Sequence, residues 1–131
     1  MLCHYLYRSI TLIKPNDPEL TNIYALAKSR NSDFNITGCL HLEDGVFYQW
    51  IEGPSQDLGM IMNLILADKK HSNLEILSSG PSLNRRFGGW SMAAPVSGNE
   101  ALFDFLATNR ISKYQRKLFL DGILSYMVKY T

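Results

Sequence analysis

The sequence predicts an α+β domain: a sheet of βαββαββ order with two helices on one face, followed by two C-terminal helices. Three observations predict it. Short runs rich in aromatic and β-branched residues alternate with two amphipathic stretches. Asp17-Pro18 and Pro54-Ser55 each open one of those stretches. Glu43-Asp44-Gly45 divides two of the runs, and Asp-Gly is a strong hairpin signal.

The first strand is read over 2–9, LCHYLYRS. Alternation puts Cys3, Tyr5, Tyr7 and Ser9 on one face and Leu2, His4, Leu6 and Arg8 on the other. Asp17 is expected as N-cap and Pro18 as the first helical residue of a helix running to about Arg30. Leu20, Ile23, Tyr24, Ala27 and Asn31 fall near one stripe of it, so the stripe ends in a polar residue. The second strand is read over 35–43 and the third over FYQWIEG, 47–53. The second helix runs from Pro54-Ser55 to about Lys70, with Leu58, Ile61, Met62 and Ile65 inward and Lys69 and Lys70 at its C-terminal end. A fourth strand is read over 73–80 and a fifth over 86–93, RFGGWSMA, with two glycines in its first half. Helices follow over about 98–108 and 112–129, the latter behind Ser112 as N-cap.

A βαβ crossover, a hairpin, then a further helix and strands is the ferredoxin-like pattern, in which the first and third strands are the central pair. Both crossover helices cover one sheet face, and the C-terminal helices or a second subunit are left to cover the other. Tyr114, Leu118, Ile123 and Met127 are expected as the apolar face of the last helix. The domain reading is a sheet domain over 1–93 and a helical cap over 94–131.

Composition narrows the function classes. The 131 residues are 46% hydrophobic and 19% charged, which suits one globular domain. A net charge of +1 gives no basic field for nucleic acid. No run approaches membrane-spanning length, and no signal peptide is visible, so a cytoplasmic protein is expected. Cys3 and Cys39 are read as free thiols in a reducing compartment. His4 and His41 are expected as surface strand residues. No nucleophile elbow, metal-ligand cluster or phosphate-binding glycine loop points to an enzyme.

The polar residues that face inward carry the chemistry. On the third strand Phe47, Gln49 and Ile51 share the face suited to the interior. A buried amide without partners costs roughly 1–3 kcal/mol. It has two donors and two acceptor sites, more than the neighbouring Tyr7 hydroxyl can fill. Water, backbone or a planar heteroaromatic ligand would complete the set, with Asn31 reading a carbonyl and N–H edge. From the residues alone a structural Gln49 and a ligand-binding Gln49 both stand. Asn31 as a helix C-cap, and Trp90 and Met92 as packing residues, stand likewise.

Five motifs in order now resemble the BLUF family, sensors of blue light using FAD. They are LYRS (6–9), SRNSDFNITGCL (29–40), LEDGVFYQWIEG (42–53), DKKHSNLEIL (68–77) and RRFGGWSM (85–92). The resemblance covers about 1–93. It implies a non-covalently bound flavin, FAD, with FMN or riboflavin as alternatives. It implies that Tyr7 donates an electron and then a proton to the excited flavin and that Gln49 relays the proton. Gln49 is then left rotated or tautomerised. Asn31 matches the residue bonded to the flavin edge, and Arg30 a position near the ring that varies. Asp68, Lys70 and His71 match the segment that helps hold the ring, although Lys70 stands where arginine is common. Trp90 and Met92 match the pair that couples the signal outward; both have the same strand parity, so either fits beside Gln49. The output is expected to pass to a separate partner protein, with a homodimer or higher oligomer left open. The rival reading is a non-photoactive ferredoxin-like module that binds a small molecule or dimerises.

Overall fold

Eight elements follow one another in the computed structural model, which describes residues 1–95 and 100–131. They are β1 (Leu2–Ile10), α1 (Pro18–Asp33), β2 (Thr37–Glu43), β3 (Val46–Pro54), α2 (Ser55–Ala67), β4 (Ser72–Pro81), α3 (Leu102–Thr108) and α4 (Arg116–Lys129). The strands form one antiparallel sheet in the order β2-β3-β1-β4, so β1 and β3 are the central pair, as expected. Their register sets Tyr7 directly opposite Gln49.

Local chemistry explains most boundaries. Asp17 caps α1 by accepting the Glu19 N–H at 2.9 Å, with Pro18 in the first turn. The helix runs past Arg30 to Asp33, so Asn31 is a helical residue and not its C-cap. The hairpin turns on Asp44 and Gly45, both with positive φ, the geometry Asp-Gly supplies. Helix α2 stops at Ala67, short of the expected Lys70. Asp68 turns to extended backbone there, and its carboxylate accepts the Lys70 N–H at 2.9 Å. Asp68, Lys70 and His71 therefore lie in a turn between α2 and β4.

The fifth strand, expected over 86–93, does not form. Its segment makes only a parallel bridge between Ala93 and Cys39, plus a bond from the Gly38 N–H to the Trp90 carbonyl at 3.2 Å. The reason lies in its donors. The amides of Arg86 and Phe87 go to the Glu52 carboxylate, at 2.7 and 2.8 Å, and so cannot join a ladder. Gly38 allows the close approach of β2 and β3, because a Cβ there would lie 2.1 Å from the Trp50 carbonyl oxygen.

Both faces of the sheet are covered. On one, Tyr7, Leu40, Phe47 and Ile51 pack with Ala27 of α1 and Leu58, Ile61, Met62 and Ile65 of α2. On the other, Leu6, Cys39, Trp50 and Leu77 pack with Leu102, Phe119, Ile123, Tyr126 and Met127, so the C-terminal helices cap the second face. The inward stripe of α4 differs from the expected one. Ile123 and Met127 are buried, but Tyr114 and Leu118 are exposed, and Phe119 and Tyr126 take the inner positions. Ser112 accepts the Tyr114 N–H at 3.2 Å, in the turn that precedes α4. The first residues of the helix expected over 98–108 lie outside the described residues; the helix described begins at Leu102.

The two strand histidines are less exposed than expected. His4 stacks on Trp50 with ring centroids 4.4 Å apart and bonds to Ser82 and Ser78. Burial lowers its pKa, opposed by Glu52 and helped by Arg86. His41 pairs with Glu43 at 2.9 Å. Glu43 also accepts the Leu102 and Phe103 N–H groups at the start of α3. Burial raises the Glu43 pKa, but the His41 bond and these two backbone bonds outweigh it and leave it lowered.

Candidate functional site

A cleft opens between the sheet and the two crossover helices. Tyr7, Leu40, Phe47 and Gln49 form its floor, and Ile23, Leu26, Ala27 and Arg30 of α1 form one wall. Ile65 and the turn residues Asp68, Lys70 and His71 form the other wall. Its empty space is about 610 Å³, the open mouth included. Six residues singled out from sequence thus meet around one space: Tyr7, Arg30, Gln49, Asp68, Lys70 and His71.

At the floor, the Tyr7 hydroxyl donates to Gln49 Oε1. Gln49 Nε2 donates to the Met92 sulfur at 3.7 Å. Tyr7 and Gln49 are 4% and 3% exposed, so this polar pair lies in apolar surroundings. Burial pushes the Tyr7 phenol well above its ordinary range; Arg30 opposes the shift and Asp68 adds to it. The phenol is therefore a neutral donor, held in place by an amide that retains one free N–H.

The walls bring further polar groups. The Arg30 side chain is half-buried, and its Nε has no hydrogen-bond partner among the described residues. Burial lowers its pKa, opposed by Tyr7 and Asp68. His71 meets Ser9 Oγ at 2.6 Å through Nδ1 and donates from Nε2 to the Ile65 carbonyl at 2.9 Å, so its ring is fixed from both sides. Lys70 Nζ lies 3.8 Å from Asp68 in a largely solvated pair.

Asn31 is fully enclosed, one residue beyond Arg30. Its Nδ2 donates to the Ser91 carbonyl at 2.8 Å, while its Oδ1 has no partner among the described residues. Met92 is buried against Gln49, whereas Trp90 is half exposed, so Met92 is the member of that pair beside the amide. Parity could not choose between them. The segment's hydrogen bonds do so by fixing its register against β2.

The chain matches, over residues 2–93, the family described as BLUF, sensors of blue-light using FAD. The chain belongs to the BLUF family. This BLUF chain is 28% identical over 128 residues to the photoactivated adenylate cyclase subunit beta of Euglena gracilis, covering 95% of itself but 14% of that protein. It is 32% identical over 90 residues to the blue light- and temperature-regulated antirepressor BluF of Escherichia coli K12, covering 67% of itself and 22% of that protein. It thus spans a minor part of the length of these curated relatives. Among solved structures, BlrB, a BLUF protein in its dark state, superposes with a TM-score of 0.76 at 23% identity, over 99% of this chain and 97% of that one. The α+β fold is the one BlrB has.

FAD is the cofactor of the family, and the site fits a flavin. Arg30 Nε, an unfilled donor on the cleft wall, is what a ring carbonyl would complete; Asn31 Oδ1, also unfilled among the described residues, is enclosed next to Arg30 and is not one of the residues lining the cleft. The apolar walls of Ile23, Ala27 and Ile65 suit the ring's faces.

Glu52 escaped the sequence reading. It is fully buried on the opposite face of β3 and bonded to Trp50, Thr37, Arg86 and Phe87. The signal was present: a carboxylate shares strand parity with Trp50 on a central strand whose two faces are both covered.

Proposed function

We propose that Tyr7 and Gln49 are the photochemical pair of this BLUF protein, and that Met92 reads the result. Bound flavin supplies a blue-light-absorbing ring that becomes a strong one-electron oxidant when excited. Arg30, Asn31, Asp68, Lys70 and His71 would hold it. Tyr7 gives up one electron from its phenol and the proton of its hydroxyl. The proton would leave along the existing bond to Gln49 Oε1 while the amide gives one from its nitrogen side to the bound ring. Electron and proton then return to Tyr7, so nothing is consumed. The amide is left rotated or tautomerised.

The observation that carries this reading is the Tyr7–Gln49–Met92 chain of contacts. With Oε1 toward Tyr7, the amide N–H reaches the Met92 sulfur. In the rotated amide the oxygen would face that sulfur, acceptor against acceptor, and the contact would be lost. A hydrogen-bond change at the floor thereby becomes a packing change at residues 90–92, the kind of local event that biases a two-state element.

The wider reading follows from this chemistry. Residues 1–93 act as the sensor and 94–131 as a helical cap on the far face of the sheet. The domain acts as a switch and not as an enzyme, and it signals from the cytoplasm to a separate protein. Among the described residues no helix is long and apolar enough to cross a membrane. FAD is the proposed occupant, with FMN or riboflavin able to fill the same ring site. The test is the absorption spectrum of purified protein before and after blue light. A yellow protein with a reversible red shift is expected. A colourless protein that also fails to take up added FAD would sink the proposal.

A further inference from the structure

Glu52 lies on β3 beyond Gln49, with its side chain on the face opposite the cleft and fully enclosed. Its oxygens are saturated. Oε1 accepts from Trp50 Nε1 at 2.9 Å and the Arg86 N–H at 2.7 Å. Oε2 accepts from Thr37 Oγ1 at 2.8 Å and the Phe87 N–H at 2.8 Å. Four donors on two oxygens is the complement an acceptor-only carboxylate takes. Arg85 braces the arrangement by donating to Thr37 Oγ1 at 2.9 Å and the Asn35 carbonyl at 2.8 Å.

The same strand therefore grips the following segment at two places. Glu52 holds the amides of Arg86 and Phe87, and Gln49 holds Met92. Between the two grips stand Gly88 and Gly89. Among the described residues, a methyl group at Gly89 would meet nothing within 4 Å, and at Gly88 only the Arg85 Cβ at 3.7 Å, an ordinary contact. Neither glycine has a positive φ. Neither packing nor backbone geometry requires glycine here. What glycine adds is freedom to turn.

We propose that Glu52 is a clasp and Gly88-Gly89 a joint. The clasp fixes Arg86 and Phe87 on β3, so loss of the Gln49–Met92 contact moves only the arm from Trp90 to Ala93. Glu52 is then a positioning residue for signalling, and the half-exposed Trp90 is the part of the arm that solvent or a partner meets. This rests on the blue-light reading above.

Amide hydrogen exchange of the FAD-loaded full chain, in darkness and under blue light, tests it. In the wild type, light should speed exchange at Trp90 and Ala93 by about tenfold or more and leave Arg86 and Phe87 within about twofold. E52Q places an NH₂ against one pair of donors, so Arg86 or Phe87 should exchange about tenfold faster even in darkness. Its red shift should persist, because Tyr7 and Gln49 lie on the other face. The G88A/G89A double variant, which meets no obstacle to folding, should keep the red shift and lose the light-driven exchange at Trp90 and Ala93. The proposal is overturned if light affects Arg86 and Phe87 as much as Ala93, if E52Q leaves both amides protected, or if G88A/G89A keeps the full light response. Absence of any red shift in the wild type would overturn the blue-light reading instead, and the dark comparison with E52Q would still test the clasp.

Discussion

Tyr7 and Gln49 stand directly opposite one another on the two central strands, and the Tyr7 hydroxyl donates to Gln49 Oε1 inside the apolar layer. Cross-strand register, strand parity and burial together create this bond. β1 and β3 each send alternate side chains to the helix-covered face, and the antiparallel ladder aligns these two members.

Gln49→Leu should abolish the light-induced shift and also destabilise the flavin-free protein. The Tyr7 hydroxyl would be left buried without its acceptor, at a cost of about 1–3 kcal/mol. Adding Tyr7→Phe should restore most of that loss, because two apolar partners leave nothing unsatisfied. Denaturant midpoints of the two single variants and the double variant measure this. Equal loss in Gln49→Leu and in the double variant would mean the bond is not what stabilises the pair.

Alkaline pH should reveal the buried phenols. Burial raises Tyr7 and Tyr24, and it pushes Tyr126 up to about 12, all from an ordinary value of 10.0. An acid whose folded pKa is raised holds its proton more tightly when folded. Its stabilising share is present below about pH 10 and lost as pH rises through the folded value. Thermal midpoints should therefore be flat between about pH 8 and pH 9 and fall above that, first as the Cys39 thiol, which burial raises from 9.0, and then as the phenols ionise in the unfolded chain, and the red shift should be independent of pH over the flat range. Stability that rises above about pH 10 would contradict the burial of these groups.

Met92→Leu should separate the switch from its reader. The swap conserves volume, so the stability cost should stay below about 1.5 kcal/mol. The sulfur supports the orientation with Oε1 toward Tyr7 by accepting the amide N–H. Without it, return to that orientation should slow by about 2–10-fold, the worth of one modest hydrogen bond. Trp90→Ala, at a half-exposed site, should leave that rate near the wild-type value. Recovery followed by absorbance in the dark decides between them. Faster recovery in Met92→Leu would contradict the assigned contact.

Much of this was legible in the sequence where one local rule governs. Asp17-Pro18 and Asp44-Gly45 set their boundaries through their own chemistry, and alternation put Tyr7 and Gln49 on one face. What was not legible depends on partners distant in sequence. The two lysines at 69 and 70 read as a helix end, but the Asp68 carboxylate captures the Lys70 amide and stops α2 at Ala67. RFGGWSMA read as a strand, but Glu52, far back on β3, takes two of its amides. Met92 lies beside Gln49 for a reason that parity cannot express, since Trp90 shares it. Tyr114 fell outside the buried stripe because it precedes α4, and Leu118 because the stripe's direction is set by the sheet face it covers.

The most direct test of the switch is the blue-light difference spectrum of FAD-loaded Tyr7→Phe beside the wild type. The wild type should show a red shift that reverses in darkness. Tyr7→Phe should bind FAD and show no such shift, because the flavin has lost its electron donor and Gln49 the proton it relays. A Tyr7→Phe protein that forms and reverses the shift as the wild type does would contradict the switch.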